Sequence, residues 1–363
     1  MLGSPRPVGS RQGRAPREVT HQWIVRTRRV ARSAPQQSVQ TSPPPAAESV
    51  SGITRVPLAP LLQHPPSREG RNVVTTEMLL DVKRLLGSLY EEYDYAFDPA
   101  WIEGKIPADL EGTYFRNGPG LQVTSGRYTR HVFDGDGMVC AFALRGGRAW
   151  FRNRFVRTRG FVDEQAAGRP LYRSAFTKGS ADGSPFFNPF ELDLKNVANT
   201  GVLHWAGRLL ALFENGLPYE MDPRTLGTRG ETRLGGAVTT KALGAHYRML
   251  RDAATGDRRW VTFGVEAGPS FKVVFYEFDE AGALLHKQEY SLPGTMITIL
   301  HDFTVTEHYY VLVEGPINFD LGKFLGSYLF SKCSVAACLV FDETRKTRVH
   351  LIPRGAGAGG AAA

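Results

Sequence analysis

The sequence predicts an all-β fold built from repeated short hairpins, on three observations. Short runs rich in apolar and aromatic residues succeed one another from about Trp101, pairs containing glycine punctuate them, and little helical periodicity lies between. The one helical signal comes earlier: from Thr76 to Tyr90, residues Leu79, Leu80, Val82, Leu85, Leu86 and Leu89 fall at helical spacing, with Thr76 as a cap and Glu77 and Asp81 in the first turns. A short amphipathic helix is expected there, docked on the folded body or resting as a peripheral contact on a membrane surface. Next, Phe142–Arg145 and Arg148–Arg152 flank Gly146-Gly147, and Val202–Trp205 and Arg208–Phe213 flank Ala206-Gly207. Glycine readily supplies the positive φ that such tight turns require. The run Phe271–Asp279 pairs in the same way with Leu284–Tyr290 across Ala281-Gly282. Radial repetition suits so many short strands, because each blade of a β-propeller buries its faces against its neighbours. At about 45 residues per blade, Trp101 to Arg354 would supply about five blades.

The chain has 363 residues and a net charge of +8. Residues 1–71 hold 11 arginines, no lysine and 3 glutamates, which leaves the rest with 33 basic and 33 acidic residues. A basic leader on a neutral body offers no electrostatic footprint for nucleic acid. The stretch 1–75, rich in Arg, Ser, Pro and Gln and without a continuous apolar core, reads as a disordered, transit-peptide-like leader, with the chloroplast as destination and the mitochondrion or cytoplasm as alternatives. Residues 76–354 form the expected propeller domain. Residues 355–363 are a Gly/Ala tail, read as the mark of a truncation or altered splice product. Cys140, Cys333 and Cys338 make no disulfide framework, and the last two lie in an apolar run that reads as core packing.

His246 and His301 are the candidate metal ligands, since each opens an apolar strand-like run at a matching place in successive hairpins. Upstream lie Gly-Thr-Tyr-Phe-Arg-Asn-Gly-Pro-Gly (Gly112 to Gly120), Arg130-His-Val-Phe-Asp-Gly-Asp-Gly-Met138, Asn199-Thr200 and Gly207–Glu214 running on to Glu220; downstream comes Ile352-Pro353-Arg354. In this order, from about Ile106 to Arg354, the blocks resemble the carotenoid cleavage oxygenase family, non-haem iron enzymes that split conjugated double bonds with dioxygen. The resemblance implies a seven-bladed β-propeller with an axial Fe(II) held by four histidines, three of them oriented by glutamates. His246 then matches the first ligand, His301 the second and Glu214 the first orienting glutamate, while Phe213 matches a substrate-tunnel aromatic. The family's third and fourth histidines have no counterpart in this chain, so the propeller is expected to be incomplete.

Neutral imidazoles suit Fe(II), and oxidative cleavage of an alkene by O2 needs a redox-active metal with an open position. Glu214 would accept the free N–H of a metal-bound imidazole, fixing its tautomer. The bland alternatives are a hydrogen-bonded core histidine for each imidazole, a solvated strand-end carboxylate for Glu214 and ordinary packing for Phe213. His131 is read as support for the Asp134-Gly-Asp-Gly137 turn, His204 as a hairpin neighbour, His308 as a turn tip and His350 as a strand-surface residue. Asp134-Gly-Asp-Gly is not a calcium loop, because position twelve is Arg145. It reads as a tight turn whose aspartates bond local amides. The expected activity is cleavage of a carotenoid or apocarotenoid by O2, compromised by the missing histidines; the alternative is an inactive propeller that binds polyenes or a partner protein.

Overall fold

The computed structural model describes residues 87–355, apart from 125–126, 130, 179–186, 253–254, 269 and 295–296, together with the strand segments Glu48–Ser49, Arg68–Glu69 and Asn72–Val73. The rest of the leader-like stretch 1–75, the predicted helix up to residue 86 and the tail after Gly355 lie outside the described residues. The last four positions of that helix, 87–90, are described and are not helical.

The fold is all-β. A first antiparallel sheet contains β1 (Asp94–Ala96), β2 (Gly112–Leu121), β3 (Asp136–Arg145) and β4 (Arg148–Phe155), in the order β1-β4-β3-β2. After helix α1 (Arg159–Ala167) comes a four-stranded meander of β5 (Gly201–Trp205), β6 (Arg208–Leu212), β7 (Tyr219–Met221) and β8 (Thr228–Glu231). A second meander follows, of β9 (Arg248–Arg251), β10 (Arg258–Glu266), β11 (Phe271–Phe278) and β12 (Leu284–Leu292). A last sheet has three strands, β13 (Phe303–Val305), β14 (Tyr309–Glu314) and β15 (Arg348–Pro353). The expected turns are present: Gly146 and Gly147 take φ of 56° and 73°, and Ala206 and Gly207 take 49° and 72°.

About five blades were expected; the described residues form three four-stranded sheets and one three-stranded sheet, beside four two-stranded pairs. Excursions consume the difference. The chain between β4 and β5 contains α1, and the chain between β14 and β15 makes a separate strand pair, Ile317–Phe319 with Leu339–Phe341, around a helical turn.

Alternation of side chains along each strand explains the stacking. In β6, Leu209 and Ala211 pack on Val139 and Ala141 of the first sheet, while Leu210 and Leu212 join Trp260, Val274 and Tyr276 of the third. In β11, Val274, Tyr276 and Phe278 face the second sheet, and Phe271, Val273 and Phe275 face the fourth. Both faces of the central strands β6 and β11 are therefore dry, which is why those strands read as near-continuous apolar runs. Phe275 and Tyr310 stack across the last of these layers, with ring centroids 4.0 Å apart. Each layer is a sheet-on-sheet core of the kind that joins propeller blades.

Two readings of individual residues need correction. Asp134-Gly-Asp-Gly137 is no locally bonded turn: Asp134 accepts hydrogen bonds from the Phe176 amide at 3.1 Å and the Thr177 hydroxyl at 2.6 Å, and Asp136 pairs with Lys195. Its glycines do not take positive φ. They permit close approach instead, since a Cβ at residue 137 would lie 2.3 Å from the Ala198 carbonyl oxygen. His131 does brace the adjoining turn, its Nδ1 accepting from the Phe133 amide at 3.2 Å. His350 is buried rather than on the surface, because it shares the inward face of β15 with Ile352. Its Nε2 lies 2.9 Å from Glu314, a buried carboxylate that also meets Arg345 and Arg348 at 3.1 Å each. Among the described residues no helix is long and apolar enough to cross a membrane.

Candidate metal centre

Three successive sheets each deliver one side chain to a single point. β6 ends at Leu212, and the chain turns through buried Phe213 to place Glu214 two residues beyond the strand. His246 stands two residues ahead of β9, and His301 two residues ahead of β13. Each histidine therefore enters the first strand of its sheet at the same offset. Close backbone packing sets the second and third sheets together here: a Cβ on Gly201 would lie 2.2 Å from the Ala245 carbonyl oxygen, so only glycine lets the His246 segment sit so near β5. The Tyr247 hydroxyl donates to the Val202 carbonyl at 2.9 Å and holds the same junction.

The two Nε2 atoms approach to 2.9 Å, and the His301 Nδ1 contacts a Glu214 carboxylate oxygen. Ligand atoms of all three residues fall within 4.8 Å of one another. Burial, followed by the neighbouring His301, pushes the His246 pKa below the ordinary imidazole value, so its ring is neutral at pH 7. Burial raises the Glu214 pKa, and His301 opposes that rise. The Glu214 contact fixes His301 as the tautomer with hydrogen on Nδ1, leaving the Nε2 lone pair free to point at His246.

This donor set fits a divalent metal ion. Two metal–nitrogen bonds of about 2.1 Å at right angles would hold their nitrogens about 3.0 Å apart, close to the separation seen. The carboxylate behind His301 is the partner that metal-bound histidines ordinarily have. Replacing Glu214 with Gln is expected to weaken metal binding roughly 10- to 100-fold without unfolding the protein. Titrating cobalt(II) into both proteins by calorimetry checks this, and equal affinities would remove Glu214 from the centre.

Among the described residues the other histidines do not join. His204 stacks on Phe115 at 6.2 Å, and His350 belongs to the Glu314 cluster. An open cavity of about 610 Å³ lies at the opposite end of β9. Arg251, Arg259, Glu277 and Arg354 line it, and Arg354 reaches both Glu277 oxygens at 2.9 Å. Such a charged wall suits an ion-pair network and does not suit an apolar polyene. Sequence reasoning missed Arg248 and Asp302, which flank the two histidines; each sits beside a candidate ligand, and that adjacency was the available signal.

The profile of the family described as retinal pigment epithelial membrane protein matches residues 87–362. The apocarotenoid-15,15'-oxygenase of Synechocystis is 39% identical over 272 residues, covering 74% of this chain and 54% of that protein. The isoeugenol monooxygenase of Pseudomonas nitroreducens is 33% identical over 226 residues, covering 61% of this chain and 44% of its own length. Cobalt-substituted Synechocystis apocarotenoid oxygenase superposes with a TM-score of 0.69 at 37% identity, covering 74% of this chain and 55% of that one. The chain thus spans about half the length of the curated relatives it matches.

Proposed function

Because this chain belongs to the retinal pigment epithelial membrane protein family, the family of the carotenoid and apocarotenoid oxygenases, we propose that the whole protein uses Fe(II) to cleave a double bond of a carotenoid or apocarotenoid with O2. One alkene and one O2 become two carbonyl products, so atoms balance without a further reductant. The observation that carries this reading is the convergence of His246 and His301 with Glu214 behind them. A ferrous ion bound there would supply the open coordination position and the electrons that ground-state O2 requires to react with a polyene.

The chain's own residues have defined tasks in this scheme. Glu214 holds the proton on His301 Nδ1 and so keeps Nε2 a donor. His246, kept neutral by burial, presents the second lone pair. Phe213 is buried next to Glu214, where its ring would help keep water from the substrate. In this proposal the whole protein closes as a seven-bladed propeller and contributes two further histidines.

A second reading rests on the fourth sheet. Its outer face presents Tyr309, Val313, Val349 and Leu351, which are 39%, 56%, 59% and 43% exposed, and cross-strand register sets Val313 opposite Val349, Leu351 opposite Val311 and Tyr309 opposite Pro353. The central strands β6 and β11 are buried on both faces, so an apolar, uncharged face of this kind calls for a cover. In the whole protein a further blade would pack there. By itself the chain would be an inactive portion that binds a polyene or a partner protein through this face.

One experiment separates the two readings. The purified chain is assayed for iron content and incubated in air with Fe(II) and an apocarotenoid, with products resolved by mass spectrometry. Near-stoichiometric iron and two carbonyl fragments are expected of the enzyme. A cooperative thermal transition without iron or products assigns this chain to the second reading.

A further inference from the structure

We propose that Arg248 and Asp302 form a positioning pair that sets the spacing between His246 and His301, and thereby the metal affinity of the centre. The inference rests on the metal-binding reading above and adds the device that makes the two imidazoles meet. Arg248 lies two residues after His246, and Asp302 directly follows His301. Arg248 Nη2 donates to Asp302 Oδ2 at 2.8 Å, bridging the third and fourth sheets beside the point where the imidazoles cross.

Each partner is fixed from its own side. Arg248 Nη1 donates to the Tyr247 carbonyl at 2.9 Å, and Asp302 Oδ1 accepts from the Phe303 amide at 2.8 Å. The guanidinium also lies over the Phe303 ring, 5.5 Å from its centre. That ring is itself wedged edge-on to Phe263 at 5.0 Å in the layer between the sheets. The ion pair therefore connects the two strand entries to the packed core beneath them.

Such a pair contributes little to global stability, because its side chains are 35% and 41% exposed and water screens them. Its effect is local. His301 is 61% exposed on its side chain, so packing alone does not hold that imidazole against His246. Sheet-to-sheet movement at the strand entries would separate the two nitrogens, and a metal would then have to draw them together at the expense of its affinity.

The test compares the unaltered chain with Asp302→Asn, Arg248→Met and the double variant, using two readouts. In metal-free protein carrying labelled histidine, a ring-proton Overhauser cross-peak between His246 and His301 reports their proximity; cobalt(II) titration reports affinity. The cross-peak is expected to weaken in each variant and cobalt affinity to fall about 10-fold, with the double variant no worse than either single one. The metal-free melting temperature is expected to hold within about 2 °C.

Unchanged cross-peaks and affinities in both single variants would overturn the proposal, and so would the absence of a cross-peak in the unaltered chain. Losses that multiply in the double variant, or that accompany a general drop in melting temperature, would also overturn it by showing independent or merely structural roles. If the unaltered chain takes up no cobalt while the cross-peak still depends on the pair, the positioning role stands and the metal-binding reading falls.

Discussion

Replacing His301 with alanine is expected to lower cobalt(II) or iron(II) affinity by at least about 100-fold, more than any substitution behind the ligands, because it deletes a donor and strands Glu214. His246→Ala is expected to match it. The fold should tolerate the His301 change, since that side chain is 61% exposed and contributes little to any core. Calorimetric titration at pH 7 with a thermal melt on the same samples checks both statements; affinity retained within about threefold would mean that the imidazoles hold no metal. The pH dependence has a definite sign. Burial and His301 keep the His246 pKa below the ordinary value near 6.5, so its lone pair is available at neutral pH. Cobalt(II) affinity is therefore expected to fall on acidification and to recover as the pH rises, which the same titration repeated at pH 6 and pH 8 checks.

Lys195→Met is expected to destabilise the protein by about 3–5 kcal/mol, lowering the melting temperature by roughly 10 °C for a domain of this size. The Lys195 Nζ lies 2.7 Å from both Asp136 and Glu164, and the three side chains are only 5%, 4% and 3% exposed. β3 supplies the aspartate, α1 the glutamate, and Gly160 the space for the lysine stem, because a Cβ there would meet Lys195 Cγ at 2.8 Å. Removing the cation leaves two carboxylates buried together. Burial already raises the Asp136 pKa, with Lys195 opposing the rise. In the variant the folded state would therefore take up protons that the unfolded chain does not, and the deficit should narrow as the pH falls from 7 towards 5. Adding Glu164→Gln should recover part of the loss. Melts at both pH values decide the matter, and a loss below about 1 kcal/mol would show that the lysine is not neutralising this pair.

Local features of the chain made much of the fold legible. The pairs Gly146-Gly147 and Ala206-Gly207 marked hairpins because positive φ is a property of the turn residues themselves. Apolar runs marked strands buried on both faces. The blade count was less legible, since an excursion such as Leu321–Lys323 and its flanking strand pair looks locally like more of the same β material. At the candidate centre, His246, His301 and Glu214 were singled out from their strand contexts and the resemblance, and the fold brings them within 4.8 Å. The partnerships of His350 with Glu314 and of Lys195 with Asp136 were not legible. Their members lie 36 and 59 residues apart, and no local pattern links them.

The sequence by itself determined which segments become strands and where they turn, because side-chain alternation and turn geometry act over a few residues. Only the tertiary structure decided which strand entries meet, which carboxylates are buried and which cation neutralises each. Those outcomes depend on stacking one sheet against the next, where a single close approach, such as that of Gly201 to the Ala245 carbonyl, fixes the position of a histidine more than forty residues farther along the chain.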